Sequence, residues 1–329
     1  VVSPWNYPFN LTFGPMIWSI AAGNTVIIKP SEMTPNMSAV IADIVERAFR
    51  PEEVSLFQGE ADVASYLTAL PFDHIFFTGS PAVGKHVMAA AAKNLTSVTL
   101  ELGGKSPVIV DKSVNIKKAV QSIAWGKFSN NGQTCIAPDY LYVHESVKDQ
   151  FVSELTACVE KQYGLGNNAK DNGDYCKVVN TSHYNRINRL LDDAKSQGGK
   201  LITGGQIDDA GRFIAPTLIE GMASDSAIME EEIFGPLLPV ITFSNIEEVI
   251  DVVNSKPKPL ALYIYSTDKR NIDKVLCETS AGDTCVNQTM MHFLHHNLPF
   301  GGVNNSGIGK SGGVWGFNAF THERSVLND

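Results

Sequence analysis

The sequence predicts an α/β protein with two domains, each built on a doubly wound parallel sheet. Short β-branched runs alternate with segments of helical apolar spacing up to Leu102, and a second alternation of the same kind follows. Strands separated by helices of this length need crossover connections, which favour parallel pairing. With 329 residues, 43% of them hydrophobic and 19% charged, the chain can bury one core in each domain.

The first alternation predicts five strands and four helices. The strands are expected at Val1–Ser3, Thr25–Lys29, Val54–Gln58, His74–Thr78 and Val98–Leu102, and the helices at Phe9–Ala22, Pro35–Arg50, Ala61–Leu70 and Pro81–Lys93. Because residue 1 stands in what reads as the end of a buried strand, we expect the N-terminal segment to be missing. Ligands bind such sheets at the carboxyl ends of the strands.

The second alternation extends from Pro107 to Thr279. Strands are expected at Pro107–Asp111, Leu141–His144, Lys200–Thr203, Leu238–Phe243 and Leu260–Tyr265, and helices at Ile116–Ser129, Val147–Gln162, Ser182–Gln197, Ile246–Asn254 and Lys269–Thr279. The segment from Phe300 to Gly316 contains seven glycines and is expected to be mostly irregular.

Composition and charge exclude several classes of function. The net charge of −9 argues against nucleic-acid binding, which needs a basic stripe. No run of about 18 apolar residues occurs, so no membrane-spanning helix is predicted. The five cysteines form no CxxC pair, which favours a reducing cytoplasm over a disulfide framework. His292, His295 and His296 have no neighbouring cysteine or acid, so no metal site is predicted.

Two residues are candidates for catalysis from their local context. Cys135 lies in Asn-Gly-Gln-Thr-Cys between a helix and a strand, where backbone N–H groups could stabilise a thiolate, although the local context alone favours a buried apolar filler. Glu101 ends a strand between apolar residues, which should raise its pKa toward neutrality and suit a general base. The alternative for Glu101 is a solvated charge at a strand exit.

Four further segments place polar groups where strands meet helices or loops. Phe-Thr-Gly-Ser-Pro-Ala-Val-Gly, with Gly79, Ser80 and Gly84, is either a phosphate-binding turn or a plain glycine-capped turn. Lys-Pro-Ser-Glu, with Lys29, Ser31 and Glu32, suits a ribose site, or Ser31 or Thr34 caps a helix. Asn6 between two prolines is an oxyanion donor or an Asx turn. Glu-Glu-Ile-Phe-Gly-Pro, with Glu232 and Phe234, could be only a charged turn with a core aromatic residue.

Taken in order, these motifs resemble the aldehyde dehydrogenase superfamily. The resemblance rests on Pro-Trp-Asn-Tyr-Pro-Phe, Lys-Pro-Ser-Glu, Phe-Thr-Gly-Ser, Glu-Leu-Gly-Gly-Lys-Ser-Pro, Gly-Gln-Thr-Cys, Glu-Glu-Ile-Phe-Gly-Pro and Leu-Pro-Phe-Gly-Gly, and spans residues 3 to 325. The residues Ile-Ala-Pro-Asp-Tyr after Cys135 and the ending Phe-Thr-His-Glu-Arg-Ser-Val-Leu resemble the class 3 branch of fatty-aldehyde and aromatic-aldehyde dehydrogenases.

The resemblance implies a Rossmann-like cofactor domain at residues 1–104 without its N-terminal part, and a catalytic domain at 105–297. A glycine-rich segment at 298–329 would return to the cofactor domain or an oligomer interface. The implied reaction is oxidation of aldehydes to carboxylic acids with NAD or NADP, through a thiohemiacetal and a thioester on a cysteine. The implied partners are an aldehyde and a second copy of the chain in a homodimer.

The resemblance also implies a role for each site residue. Cys135 would be the nucleophile, Asn6 an oxyanion donor and Glu101 the base that activates water. The cofactor would be bound by ten residues: Lys29, Ser31, Glu32, Gly79, Ser80, Gly84, Leu102, Gly103, Glu232 and Phe234. Two alternatives stay open, an acylating enzyme that passes the thioester to coenzyme A and a non-catalytic homologue. The presence of Glu101 argues against the first, and the joint presence of all three catalytic candidates argues against the second.

Overall fold

The computed structural model describes all 329 residues, which divide into two compact units. Unit 1 consists of Val1–Leu102 together with His295–Asp329, and unit 2 consists of Gly103–Leu294. The helices are α1 (Asn10–Ala21), α2 (Pro35–Ala48), α3 (Ala61–Thr68), α4 (Pro81–Ala92), α5 (Ile116–Phe128), α6 (Lys148–Tyr163), α7 (Thr181–Ser196), α8 (Ala227–Glu230), α9 (Ile246–Ser255), α10 (Lys269–Glu278) and α11 (Gly313–Ala319).

The strands are short, and helices connect many of them along the chain. They are β1 (Val26–Ile28), β2 (Val54–Leu56), β3 (His74–Thr78), β4 (Ser97–Glu101), β5 (Pro107–Val110), β6 (Tyr140–His144), β7 (Lys200–Thr203), β8 (Ile207–Asp208), β9 (Phe213–Ile214), β10 (Thr217–Glu220), β11 (Leu237–Phe243), β12 (Ala261–Tyr265), β13 (Asp283–Val286) and β14 (Gly307–Ile308). None of the helices is long and apolar enough to cross a membrane.

With one exception, every predicted element is confirmed, and its ends lie within two residues of the predicted positions. The prediction of a strand at Val1–Ser3 is wrong: only Val2 pairs, with Lys29 on one side and Phe77 on the other. Pro4 has no N–H with which to continue a ladder. The glycine-rich segment is less irregular than expected, because it contains β14 and the start of α11.

Unit 1 contains two small sheets that Val2 connects through its two bridges. In one sheet β1 pairs with β2 in parallel, and in the other β3 pairs with β4 in parallel while β14 joins β4 antiparallel. Apolar side chains from α1, α2, β1 and β2 form one core, and those from β3, β4 and α4 form another.

Unit 2 contains a seven-stranded sheet in the order β13-β12-β5-β6-β11-β10-β7. Every pairing is parallel except that of β7 with β10, so the predicted α/β class with a parallel-rich sheet is confirmed. The core packs α7 and α9 on apolar residues of these strands, many of which have no exposed surface. Strands buried on both faces read as continuous apolar runs, which is why the sequence identifies them.

Candidate active site

In unit 1 the predicted site residues lie at the carboxyl ends of parallel strands. Lys29 follows β1, Gly79 follows β3 and Glu101 is the last residue of β4. Strands β3 and β4 are adjacent, and the N–H of Gly79 donates to the carbonyl of Glu101 at 3.0 Å. This is the edge at which parallel sheets bind ligands.

Lys29 and Glu32 form an ion pair, with Nζ and Oε2 2.7 Å apart. The Lys29 side chain is buried and that of Glu32 is partly exposed. Burial opposes ionisation of Glu32, but the hydrogen bond from Lys29, a backbone hydrogen bond and the charge of Lys29 together outweigh it and lower the pKa of the carboxyl. Neither predicted helix cap forms: Thr34 occupies the N-cap position of α2 without a side-chain bond, and the Ser31 hydroxyl accepts from the Met33 N–H at 3.3 Å.

The turn between β3 and α4 is fixed by contacts of its small residues. The Ser80 hydroxyl caps α4 by accepting from the Val83 N–H at 3.3 Å. A methyl group on Gly79 would lie 2.5 Å from the Phe77 ring, and one on Gly84 would lie 2.7 Å from a methyl of Leu102. Gly84 and Leu102 therefore bring α4 close to β4, and the N-terminus of α4 can face an anion.

Glu101 is buried, with 6% of its surface exposed. Its Oε1 accepts a hydrogen bond from the Ser311 hydroxyl at 2.8 Å, and a methyl group on Gly301 would lie 3.3 Å from the same oxygen. The next residue, Leu102, donates its N–H to the carbonyl of Ser306. The glycine-rich segment thus encloses this carboxyl group, a contact that the sequence did not predict.

Asn6 lies half-buried in the turn between Val2 and α1. The two ends of this turn are tied together, because the Thr12 hydroxyl donates to the Ser3 hydroxyl at 2.6 Å. Pro4 and Pro8 stiffen the backbone between them. The turn therefore holds the Asn6 amide in a defined place within unit 1.

In unit 2 the predicted site residues lie at the other end of the strands: each of them precedes the amino end of a strand. Gly103 precedes β5, Cys135 precedes β6, and Glu232 and Phe234 precede β11. Strands β5, β6 and β11 are neighbours in the sheet, so the amino ends of three adjacent strands bring these residues to one edge. This edge is not the one that the general rule for parallel sheets predicts.

Cys135 is the second residue of a tight turn that is closed by the Ala137 N–H and the Thr134 carbonyl, 3.0 Å apart. The chain enters this turn through three successive residues with left-handed backbone angles, Asn130, Asn131 and Gly132. Residues with such strained backbone angles are concentrated at functional sites. Cys135 is partly exposed, so its thiol is not the buried filler of the alternative interpretation.

The loop before Cys135 packs against the segment that carries Phe234. A methyl group on Gly132 would lie 2.3 Å from the Gly235 carbonyl oxygen, so only glycine fits. Phe234 itself has a φ of 44°, which is uncommon for an aromatic residue. The Gln133 side chain also fixes the loop, accepting from the Val179 N–H at 2.9 Å and donating to the Lys177 carbonyl at 3.2 Å.

Gly103 leaves room for the carboxyl group of Glu232. A methyl group on Gly103 would lie 2.3 Å from Oε2 and 2.4 Å from Oε1 of Glu232. Burial raises the pKa of Glu232 to about 8, and the charge of Asp139 adds to this, while the Gly104 N–H opposes it. Gly103 and Glu232 are therefore in contact, although 129 positions separate them.

Three residues that sequence reasoning missed hold the backbone on either side of Glu232. Lys105 donates to the carboxyl of Asp139 at 2.7 Å and to the carbonyl of Glu231 at 2.7 Å. Asp139 accepts from the Ile233 N–H at 3.0 Å, and Arg186 donates to the Glu232 carbonyl at 3.0 Å. Lys105 could have been recognised from the sequence, because it is the lysine of the motif Glu-Leu-Gly-Gly-Lys-Ser-Pro.

The histidines near residue 292 do not assemble a metal site, since no group of three or more potential ligands is present. His292 is buried, and its Nδ1 lies 3.0 Å from Cys285 Sγ. Burial lowers the pKa of His292 to about 4, so the imidazole is neutral at pH 7.

The donor groups of unit 1 have the chemistry that a nicotinamide dinucleotide needs. A cation and a carboxylate stand after β1, and a capped helix N-terminus stands after β3. Groups of these kinds suit ribose hydroxyls and phosphates.

Comparison with known proteins identifies the family of this chain. The sequence profile described as the aldehyde dehydrogenase family matches residues 1–326. The 4,4'-diaponeurosporen-aldehyde dehydrogenase of Staphylococcus aureus is 47% identical over 327 residues, which are 99% of this chain and 70% of that protein. Aldehyde dehydrogenase family 3 member A2 of Rattus norvegicus is 43% identical over 327 residues, which are 99% of this chain and 66% of that protein.

A solved structure, the substrate-bound state of Staphylococcus aureus AldH, covers 100% of this chain and 72% of its own, with a TM-score of 0.94 and 45% identity. Fold and site together define an oxidoreductase that binds a nicotinamide dinucleotide. The chain belongs to the aldehyde dehydrogenase family, and its function is NAD(P)-dependent oxidation of aldehydes. The predicted resemblance to class 3 members is confirmed.

Proposed function

We propose that Cys135, Glu101 and Asn6 carry out this oxidation. The observation that supports the proposal best is the position of Cys135, a partly exposed thiol in a tight turn that three left-handed residues precede. The cofactor, when bound, accepts a hydride from the substrate carbon. All other steps are assigned to side chains and backbone groups of this chain.

In the proposed mechanism the Cys135 thiolate attacks the aldehyde carbon and forms a thiohemiacetal. The Asn6 amide and the Cys135 N–H donate hydrogen bonds to the developing oxyanion. Loss of hydride leaves a thioester on Cys135, and the sulfur is then a good leaving group. Glu101 takes a proton from the water that hydrolyses this thioester, so the acid is released and the thiolate is restored.

We propose that NAD and NADP are both accepted. A carboxylate beside the adenosine ribose disfavours a 2′-phosphate. Glu32, however, is ion-paired with the buried Lys29, and the positive charge offsets the repulsion. The remaining predicted residues, Ser31, Gly84 and Leu102, would shape this region through backbone and packing contacts.

The substrate class, assembly and location are further proposals. The class 3 resemblance favours medium-chain aliphatic and aromatic aldehydes and a homodimer. The five cysteines are all free thiols, which supports a reducing cytoplasm as the location.

Pre-steady-state NADH fluorescence tests the role of Cys135. Wild-type protein is mixed with NAD and each of a panel of aliphatic and aromatic aldehydes, beside Cys135→Ala and the control Cys285→Ala. We expect a burst of NADH in the wild type and in the control, and none in Cys135→Ala. A burst that persists in Cys135→Ala would overturn the assignment, and faster turnover on adding coenzyme A would indicate an acylating enzyme instead.

A further inference from the structure

A buried tyrosine reaches the backbone beside Cys135. Tyr263, in the middle of β12, has no exposed surface, and its hydroxyl donates to the carbonyl of Ile136 at 2.6 Å. Ile136 follows Cys135 within the turn that the Ala137 N–H and the Thr134 carbonyl close. The tyrosine therefore fixes the peptide group between Ile136 and Ala137, whose N–H closes the turn.

The ring of the same tyrosine faces a second segment of unit 2. Its centroid lies 6.1 Å from that of the His292 ring, and Met290 in the same segment has a left-handed φ of 63°. Burial holds the pKa of Tyr263 well above its ordinary value, so the phenol keeps its proton and remains a donor to Ile136. The side chain thus contacts two segments that are far apart in sequence.

The segment Thr289–Leu294, here called the distal loop, is attached to the sheet on both sides of Met290. The Thr289 hydroxyl bonds that of Tyr265, and His292 lies against Cys285. At its exposed tip the distal loop presents Phe293 and Leu294, which are 41% and 55% exposed. Its position is therefore set by the sheet, and Tyr263 is the contact that it shares with the turn of Cys135.

We propose that Tyr263 is a positioning residue for the nucleophile, and that its hydroxyl holds the turn that carries Cys135 in place. The inference rests on the proposed role of Cys135. Without the hydroxyl, the Ile136 carbonyl would stay buried and lose its donor, so the turn would rotate to find another. Small errors in the direction of attack slow the chemical step strongly.

Tyr263→Phe tests the proposal, because it removes only one oxygen atom. Tyr265→Phe is the matched control: it lies on the same strand two residues away, and its hydroxyl bonds Ser122 and Thr289 but not the turn of Cys135. Three quantities are compared: the rate of Cys135 alkylation by iodoacetamide, the rate of the NADH burst, and hydrogen exchange over residues 133–139 and 289–294.

For Tyr263→Phe we expect alkylation and burst rates that fall about tenfold or more, with the KM for NAD unchanged. Exchange should become faster in residues 133–139, which contain the acceptor of the lost hydrogen bond. In Tyr265→Phe it should instead become faster in residues 289–294, which contain Thr289. Equal alkylation and burst rates in the two variants would overturn the proposal, since loss of any buried hydroxyl would then explain the data.

Two further measurements separate the possible failures. Alkylation of Cys135 does not require turnover, so it tests Tyr263 even if Cys135→Ala keeps the burst and the proposed mechanism falls. If Tyr263→Phe does not fold, 3-fluorotyrosine at position 263 keeps the ring and provides a stronger donor. Exchange over residues 133–139 should then be slower than in the wild type, and unchanged or faster exchange would overturn the proposal.

Discussion

At the scale of single residues, Glu232 shows how local surroundings define a site. Its carboxyl lies against Gly103, near Asp139, and accepts a hydrogen bond from the Gly104 N–H. Burial and the like charge favour the protonated form, and together they raise the pKa to about 8. A carboxyl with such a pKa is common at functional sites and uncommon on an ordinary surface turn.

This raised pKa makes stability depend on pH. Between the ordinary value of 4.5 and about 8, the folded protein holds a proton on Glu232 that the unfolded chain releases. The contribution of this group to the free energy of unfolding is therefore fully present below pH 4.5 and is lost as pH rises through 8. One pKa unit corresponds to about 1.4 kcal/mol, so we expect a loss of a few kcal/mol.

Urea unfolding at pH 5 and pH 8 measures this loss. Glu232→Gln cannot ionise, so its stability should decline less between the two pH values than that of the wild type. Glu230→Gln is the control, because Glu230 is a surface carboxyl paired with Lys256 whose pKa is lowered. The same decline in the wild type and in Glu232→Gln would show that the carboxyl is already ionised at pH 5.

Gly103→Ala should weaken cofactor binding by moving the Glu232 carboxyl. The new methyl group would meet both carboxyl oxygens at less than 3 Å, so they must shift. If this carboxyl holds a cofactor hydroxyl, loss of a hydrogen bond of about 0.5–1.5 kcal/mol raises the dissociation constant roughly two- to tenfold. Gly173→Ala, where a methyl group has nothing within 4 Å, is the matched control.

Isothermal titration with NAD gives the two dissociation constants. Identical affinity in Gly103→Ala and Gly173→Ala would remove Glu232 from the cofactor site.

The chemical character of the candidate site residues could be predicted from sequence, since each motif is local. Their partners could not, because Ser311 beside Glu101 and Tyr263 beside Ile136 come from more than a hundred positions away.

At the scale of elements, α4 packs on β4 through a glycine. A methyl group on Gly84 would lie 2.7 Å from Leu102, whose side chain is buried. Gly84→Ala should therefore destabilise unit 1 by about 1 kcal/mol, although alanine has the higher helix propensity. Ala89→Gly, at an exposed position of the same helix, measures the propensity alone.

Chemical denaturation of the two variants tests this packing. If Gly84→Ala stabilises the protein by as much as Ala89→Gly destabilises it, the space between α4 and Leu102 accommodates a methyl group without overpacking. In the expected result both substitutions destabilise, because overpacking at Gly84 outweighs the gain in propensity.

The elements that sequence patterns predicted are those with strong local signals. Long amphipathic helices such as α7 and buried apolar strands such as β12 carry their own periodicity. Five strands were missed, β8, β9, β10, β13 and β14. The last of them contains only Gly307 and Ile308, and it is a strand only because it pairs with β4. Pairing between distant segments leaves no local pattern.

At the scale of the whole molecule, the two units present their site residues at opposite ends of their strands. Unit 1 uses the carboxyl ends of β1, β3 and β4, as expected for a dinucleotide site. Unit 2 uses the amino ends of β5, β6 and β11, where Gly103, Cys135 and Glu232 precede the sheet. The alternation of strands and helices predicted both sheets, but not that the candidate residues of the second sheet lie at the amino ends of its strands.

In the proposed mechanism the aldehyde becomes covalently attached to Cys135. Mass spectrometry of peptides from Glu101→Gln, quenched in acid after mixing with NAD and an aldehyde, tests it most directly. Because this variant lacks the proposed base for hydrolysis, we expect the thioester to accumulate, with the mass of the acyl group on the peptide that contains Cys135. NADH formation with no acyl group on Cys135, or with the acyl group on Cys285 or another cysteine, would contradict it.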